Sequence, residues 1–167
     1  MEQQGLLHNF MLFEYEDVKP SKSSDGIVTM TGIIQKAGQP NANNRIYPRP
    51  ILEREDKRYK ELIQDRRALG ELDHPDTSVV ELKNASHLIT EVWWDGNNVM
   101  GKLEVLNTPA GKTLKALAES GIGIGISSRG LGSVRQQGKH VMVEDDYNLI
   151  CFDVVSEPST PGAFMMR

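Results

Sequence analysis

From residue 28 onward the spacing of apolar and polar positions switches between the two-residue period of a strand and the longer period of a helix, and each switch marks an element. Val28 to Gln35 (VTMTGIIQ) is β-branched and reads as a strand, with a loop after it over Ala37 to Asn44 (AGQPNANN). Pro50 then opens a helix, because its missing N–H costs nothing at a first position. Ile51, Leu52, Tyr59, Leu62 and Ile63 fall on one face of that helix, which is expected to end near Arg66. His87 to Trp94 and Val99 to Leu106 form a hairpin around the turn residues Asp95 to Asn98 (DGNN). In its second strand Val99, Gly101, Leu103 and Val105 face one way while Lys102 and Glu104 face the other, so one side is wet.

Thr108 can cap a second helix with Pro109 at its first position, Ala110, Leu114, Leu117 and Ala118 as its apolar stripe, and Gly121 as its stop. Ile122 to Ser128, Val134 to Arg135, His140 to Glu144 and Asn148 to Ser156 read as four further strands, with Gly138 and Asp145-Asp146 in turns. Before residue 28, residues 6 to 16 read as an edge strand and Lys19 to Gly26 as a polar loop, with the ordered core expected to start after it. The sum is an α+β, mostly β domain with two helices. It is expected as one unit over 1–167, with the core over 28–162 and a short C-terminal end over 163–167.

Composition narrows the function classes. At 167 residues, 38% hydrophobic and 25% charged, the chain can bury one core and is neither disordered nor membrane-spanning by composition. A net charge of −4 with scattered Lys and Arg gives no basic stripe, so nucleic acid is not expected as a partner. The start MEQQGLLHNFMLFEYE lacks a basic n-region, and no membrane association is expected. Cys151 is the single cysteine, which excludes an internal disulfide and fits a reducing compartment such as the cytoplasm.

The candidate chemistry gathers in two segments. In GIGIGISSRGLGS, residues 121 to 133, Ile122, Ile124 and Ile126 share one strand face while Gly123, Gly125 and Ser127 share the other. Glycines inside a strand mark a close approach by another backbone or a ligand, so an extended substrate could lie along the bare face. Ser127 would then be a nucleophile at the end of that track, with Arg129 and Gly130 supplying a cation and backbone N–H groups to an oxyanion. A Gly-rich strand that merely crosses another strand gives the same pattern. GELDHP, residues 70 to 75, places His74 in a turn fixed by Gly70 and Pro75, where an imidazole can accept a serine proton near neutral pH. A solvated loop histidine is the plainer alternative, and His8, His87 and His140 are lesser candidates.

Asp153 shares a strand face with Leu149, Cys151 and Val155, and a carboxylate on an apolar face needs a partner. An imidazole would serve, which makes Asp153 a candidate third member of a triad and Glu71 the alternative orienter. A sheet-edge carboxylate turned to solvent explains the same pattern. His74, His87, His140 and Asp73 lack the short spacing of a metal site, so no metal or other cofactor is expected. Cys151, within the apolar run LICF, reads as a small buried residue.

Taken together, these segments resemble the prohead maturation proteases of contractile-tailed phages, a serine peptidase family related to the herpesvirus assembly proteases. The likeness rests on Asn44-Arg45-Ile46-Tyr47-Pro48, GELDHP, Trp93-Trp94, ISSRGLGS and Phe152-Asp153 with Pro158-Ser159, in the family's order over about Val28 to Gly162. It implies that His74 and Ser127 are the catalytic pair, that Ser128 is a neighbour, that Asp153 is the third member and that Arg129 holds a water or polarises the oxyanion. It also implies a mixed β-barrel flanked by helices and a zymogen that works inside the prohead in the host cytoplasm. Scaffold, core and major capsid proteins would be its substrates, cut after Glu in a Leu/Ile-x-Glu context, with self-cleavage last and self-association compatible. The triplets Leu69 to Glu71 and Leu117 to Glu119 lie in expected ordered regions and are not expected to be cut. An unprocessed member is expected to carry a longer tail after PSTPGAFMMR, so a trimmed or engineered end is expected here. A structural phage component with the same barrel, or a small-molecule esterase, are the competing classes.

Overall fold

In the computed structural model the described residues are 5–12, 19–20 and 26–156. The expectations for residues 13–16, for most of the loop at 21–25, and for Pro158-Ser159 and the C-terminal end lie outside them. The elements are β1 (Gly5–Leu12), β2 (Lys19–Pro20), β3 (Val28–Lys36), β4 (Arg45–Ile46), α1 (Arg49–Gln64), β5 (Leu69–Gly70), β6 (His87–Asp95) and β7 (Asn98–Val105). They continue with α2 (Pro109–Glu119), β8 (Gly125–Gly132), β9 (Val134–Gln137), β10 (His140–Val143) and β11 (Asn148–Val155). The fold is therefore mostly β with two helices, as the period changes predict.

The strands form three sheets that curl about a common core as a half-barrel, in the orders β1-β8-β11, β4-β10-β9 and β2-β3-β7-β6-β5. The β6–β7 hairpin turns at Gly96, whose φ of 61° falls where a side chain is disfavoured. Its second strand buries Val99, Leu103 and Val105 as the alternation requires. Met30, Ile34, Leu52, Ile89, Leu103, Leu114 and Phe152 fill the centre.

Five boundaries or faces differ from the reading of the sequence, each for a definite reason. Helix α1 starts one residue earlier, and Arg66 ends it by adopting a left-handed φ of 53° while its N–H donates to the Ile63 carbonyl. Its buried face includes Glu55 and Asp56 as well as Ile51, Leu52 and Tyr59. Glu55 is tolerated there because Oε1 accepts the Leu149 N–H at 2.7 Å and Arg58 at 2.5 Å, which fastens α1 to β11. Burial, helped by the Glu55 and Glu53 charges and opposed by Lys60, pushes the Asp56 carboxyl up to about 7. In α2, Thr108 Oγ1 accepts the Gly111 N–H at 2.9 Å as the expected cap, but Leu117 is left exposed while Gly111, Leu114 and Ala118 are buried.

Ile122 also leaves the core face. Gly121 turns the chain with φ 72°, and β8 begins only at Gly125, so Ile124 and Ile126 are buried while Ile122 is 45% exposed. Finally, the ordered sheet begins before residue 28: β1 pairs antiparallel with the whole of β8, from Gly5 opposite Gly132 to Leu12 opposite Gly125, and Leu7 is buried. β1 is an edge strand by sheet order, and its partner is the strand that carries Ser127.

Candidate active site

Strand β8 lies between β1 and β11, so each of its residues has a fixed neighbour on either side. Phe10 and Asp153 lie opposite Ser127, Phe152 opposite Ser128, and Cys151 opposite Arg129 across a bulge between Leu149 and Cys151. Both edges of β8 are thus occupied, and an extended substrate cannot add to this strand as the bare glycine track suggested.

Strand alternation divides the Ser-Ser-Arg-Gly run into two faces with two jobs. On one face, Ser128 is buried beside the phenol groups of Tyr47 and Tyr147, whose rings meet edge to face at 5.3 Å. Gly130 belongs to that face, since a Cβ on it would stand 2.5 Å from Tyr147 Cε1. This is why position 130 is glycine, a packing reason separate from the backbone N–H role expected of it. Tyr47 lies one residue beyond β4, so the Asn-Arg-Ile-Tyr-Pro segment and the second serine are parts of one packing unit. Gly130→Ala should cost about 1–3 kcal/mol by overpacking against Tyr147. Urea denaturation measures it, and an unchanged midpoint would show that the ring has room to move.

On the other face stand Ser127, Arg129 and, from β11, Asp153, each 0% exposed. Ser127 Oγ lies 3.5 Å from the Ser128 carbonyl oxygen, a long contact that holds the hydroxyl weakly. Arg129 donates through Nε and Nη2 to the two oxygens of Asp153, both at 2.9 Å. Nη2 also donates to Glu71 Oε2 at 3.0 Å, while Nη1 donates to the Thr77 carbonyl at 3.0 Å and to Thr77 Oγ1 and the Val79 carbonyl at 3.3 Å. A guanidinium has five N–H groups, and all of them find acceptors here. Burial by itself disfavours the cation, but the hydrogen bonds and charge of Asp153 and Glu71 outweigh it and hold Arg129 protonated.

In this arrangement the N–H groups of Arg129, expected to serve a water or an oxyanion, are taken up by these acceptors, and the Asp153 carboxylate, expected as an orienter of His74, is the bidentate counterion of Arg129. Asp153 Oδ1 additionally accepts the Glu71 N–H at 3.1 Å and lies 3.6 Å from Cys151 Sγ. Glu71, the alternative orienter, accepts from Arg129 and from the Glu81 N–H at 3.2 Å. Cys151 is buried as expected, and burial together with the Asp153 charge pushes its thiol up, away from the thiolate.

The histidine segment is built onto the outer edge of β11. Val154 donates its N–H to the Glu71 carbonyl at 3.0 Å and accepts the Asp73 N–H at 2.8 Å, so residues 71–73 run alongside as a short parallel bridge. Asp73 then takes a left-handed φ of 68°, a conformation aspartate tolerates better than most side chains, and this turn presents His74. Gly70 has a different reason from the turn: a Cβ there would stand 2.2 Å from His87 Nε2 and 2.1 Å from the Phe152 carbonyl oxygen. His87 is fully buried, donates from Nε2 to that carbonyl at 2.8 Å and so accepts from Ser86 Oγ at Nδ1, 2.7 Å away. Burial lowers its pKa and keeps it neutral, a packing histidine.

His74 is exposed and lines a cavity of about 470 Å³ with Asp73, Asp76, Thr77, Glu81 and Asn84 among its walls. Ser127 is on β8 and the 71–73 segment on the far side of β11, so the two lie about two strand spacings, roughly 10 Å, apart in backbone. The structure therefore brings the histidine loop and the serine strand onto opposite edges of one strand, with the serine buried and the histidine at the cavity wall.

The fold and the sequence both have known counterparts. The structure matches that of the bacteriophage T4 capsid assembly protease with a TM-score of 0.83 at 31% identity, covering 92% of this chain and 98% of that one. The prohead core protein protease of Enterobacteria phage T4 is 37% identical over 139 residues, which are 80% of this chain, and the chain spans 66% of that protein's length. The model of the prohead core protein serine protease family matches residues 11–167, and the chain belongs to that family.

Proposed function

We propose that the chain is a serine endopeptidase of phage assembly in which Ser127 is the nucleophile and His74 its general base. The observation that carries this reading is that the Glu71–Asp73 segment and the Ser127 strand are hydrogen-bonded to the same strand, β11, in a chain that belongs to a prohead protease family. His74 Nε2 would take the Ser127 proton as Oγ bonds to the scissile carbonyl carbon and the carbonyl electron pair moves to oxygen. The proton then passes to the leaving amine as the C–N bond breaks, and water releases the acyl group by the same steps. Ser127 is 0% exposed, so its cover must open before a peptide reaches it, which suits an enzyme held latent until assembly.

The substrates proposed are scaffold, core and capsid proteins within the prohead, cut after glutamate. Asp73, Asp76 and Glu81 in the cavity wall repel a carboxylate, so the glutamate is read on another surface and the cavity takes a neighbouring part of the peptide. Assaying a Leu-x-Glu peptide against its Leu-x-Gln counterpart and against a simple ester tests this. The Glu peptide should be turned over at least about tenfold faster than the other two, and equal turnover of all three would contradict a Glu-reading endopeptidase.

A further inference from the structure

A buried guanidinium is costly unless every N–H meets an acceptor, so the places that supply the acceptors show what the side chain is for. Arg129 takes them from two regions. Asp153 supplies two on β11, and the rest come from Glu71, Thr77 and Val79. Those loop acceptors bracket His74: Glu71 precedes it by three residues, and Thr77 and Val79 follow it by three and five. Two of them are backbone carbonyls, at 3.0 and 3.3 Å, which fix the course of the chain and not only a side chain.

Arg129 also stands two positions from Ser127 on the same face of β8. One rigid, planar group thus ties both ends of the histidine loop to the strand of the serine. Lysine cannot replace it, because a single ammonium cannot reach Asp153, Glu71 and two carbonyls together. We infer that Arg129 is a positioning residue that sets His74 relative to Ser127, with Glu71 and Asp153 as its anchors on the two sides. This rests on the Ser127–His74 reading above, and it assigns Arg129 no contact with substrate.

The test uses Arg129→Lys and the milder, isosteric Glu71→Gln in the same chain, with two readouts. Hydrogen exchange of amides in residues 72–81 should rise at least tenfold in Arg129→Lys and less in Glu71→Gln, while β3, β6 and β7 keep their protection. The rate at which a fluorophosphonate labels Ser127 should fall roughly 100-fold in Arg129→Lys, because a misplaced base loses proximity without being removed. Wild-type exchange in 72–81 in a folded Arg129→Lys chain would overturn the inference. So would a protection loss spread evenly over all three sheets, the mark of a group that only stabilises the fold. If Arg129→Lys does not fold, Glu71→Gln decides on the same two criteria. Failure of the underlying reading looks different: the wild-type chain itself would not be labelled at Ser127, whatever the exchange pattern of the variants.

Discussion

Peptide turnover by Ser127→Ala is expected to fall by about 10⁴- to 10⁶-fold, since removing an activated nucleophile leaves only binding and positioning to accelerate the reaction. The substitution removes one buried oxygen whose only described contact is the long one to the Ser128 carbonyl, so the fold and its melting temperature should be close to wild type. That separation is informative, because a buried serine that served packing would give the reverse pattern, a loss of stability with turnover in proportion to folded protein. Ser128→Ala provides the internal comparison. It lies on the opposite face beside Tyr47 and Tyr147, and its effect should appear in stability rather than in turnover of the folded chain.

Asp153→Asn carries the second large effect, and it is a stability effect. The carboxylate is 0% exposed and receives two hydrogen bonds from Arg129 at 2.9 Å, so neutralising it leaves a buried cation supported mainly by Glu71. Breaking a buried ion pair in this way costs about 3–5 kcal/mol, which for a domain of this size lowers the melting temperature by roughly 10 °C. A calorimetric or dichroism melt measures it. An aspartate whose task was only to orient a histidine would instead leave the melt nearly unchanged and lower kcat, and that outcome would remove Asp153 from the clamp.

Much of the candidate site was legible in the sequence because its members are unusual where they stand. An interior Gly-rich strand, a histidine between Asp73 and Pro75, and a carboxylate on the apolar face of β11 each break a local rule, and each sits at or beside the site. What the pattern could not give is who pairs with whom. The need of Asp153 for a partner was readable from its strand face, but its choice of Arg129 depends on which strands are neighbours, and that is set by the sheet order β1-β8-β11. Gly130 and Gly70 illustrate the same limit. Gly70 was read as fixing a turn and Gly130 as a backbone N–H donor, yet what requires glycine at each is a group from a distant segment, the His87 bond to Phe152 and the Tyr147 ring.

Elements with strong periodicity, such as the β6–β7 hairpin and both helices, were placed to within two residues. Where the reading missed, a long-range partner had overridden the local pattern. The core was expected to start only after the polar loop of Lys19 to Gly26, but the pairing of β1 with all of β8 makes β1 part of the sheet. Glu55 and Asp56 were not among the residues read onto the buried face of α1, but the Leu149 N–H and Arg58 draw Glu55 inward.

The central claim is that the hydroxyl of Ser127 is activated by the imidazole of His74, and covalent labelling reads that directly. A fluorophosphonate added to the active chain, followed by peptide mapping, should place a single adduct on Ser127, with the rate falling at least about 100-fold in His74→Ala. An adduct on another residue, or a chain that cleaves its peptide at the normal rate while Ser127 stays unmodified, would contradict the account.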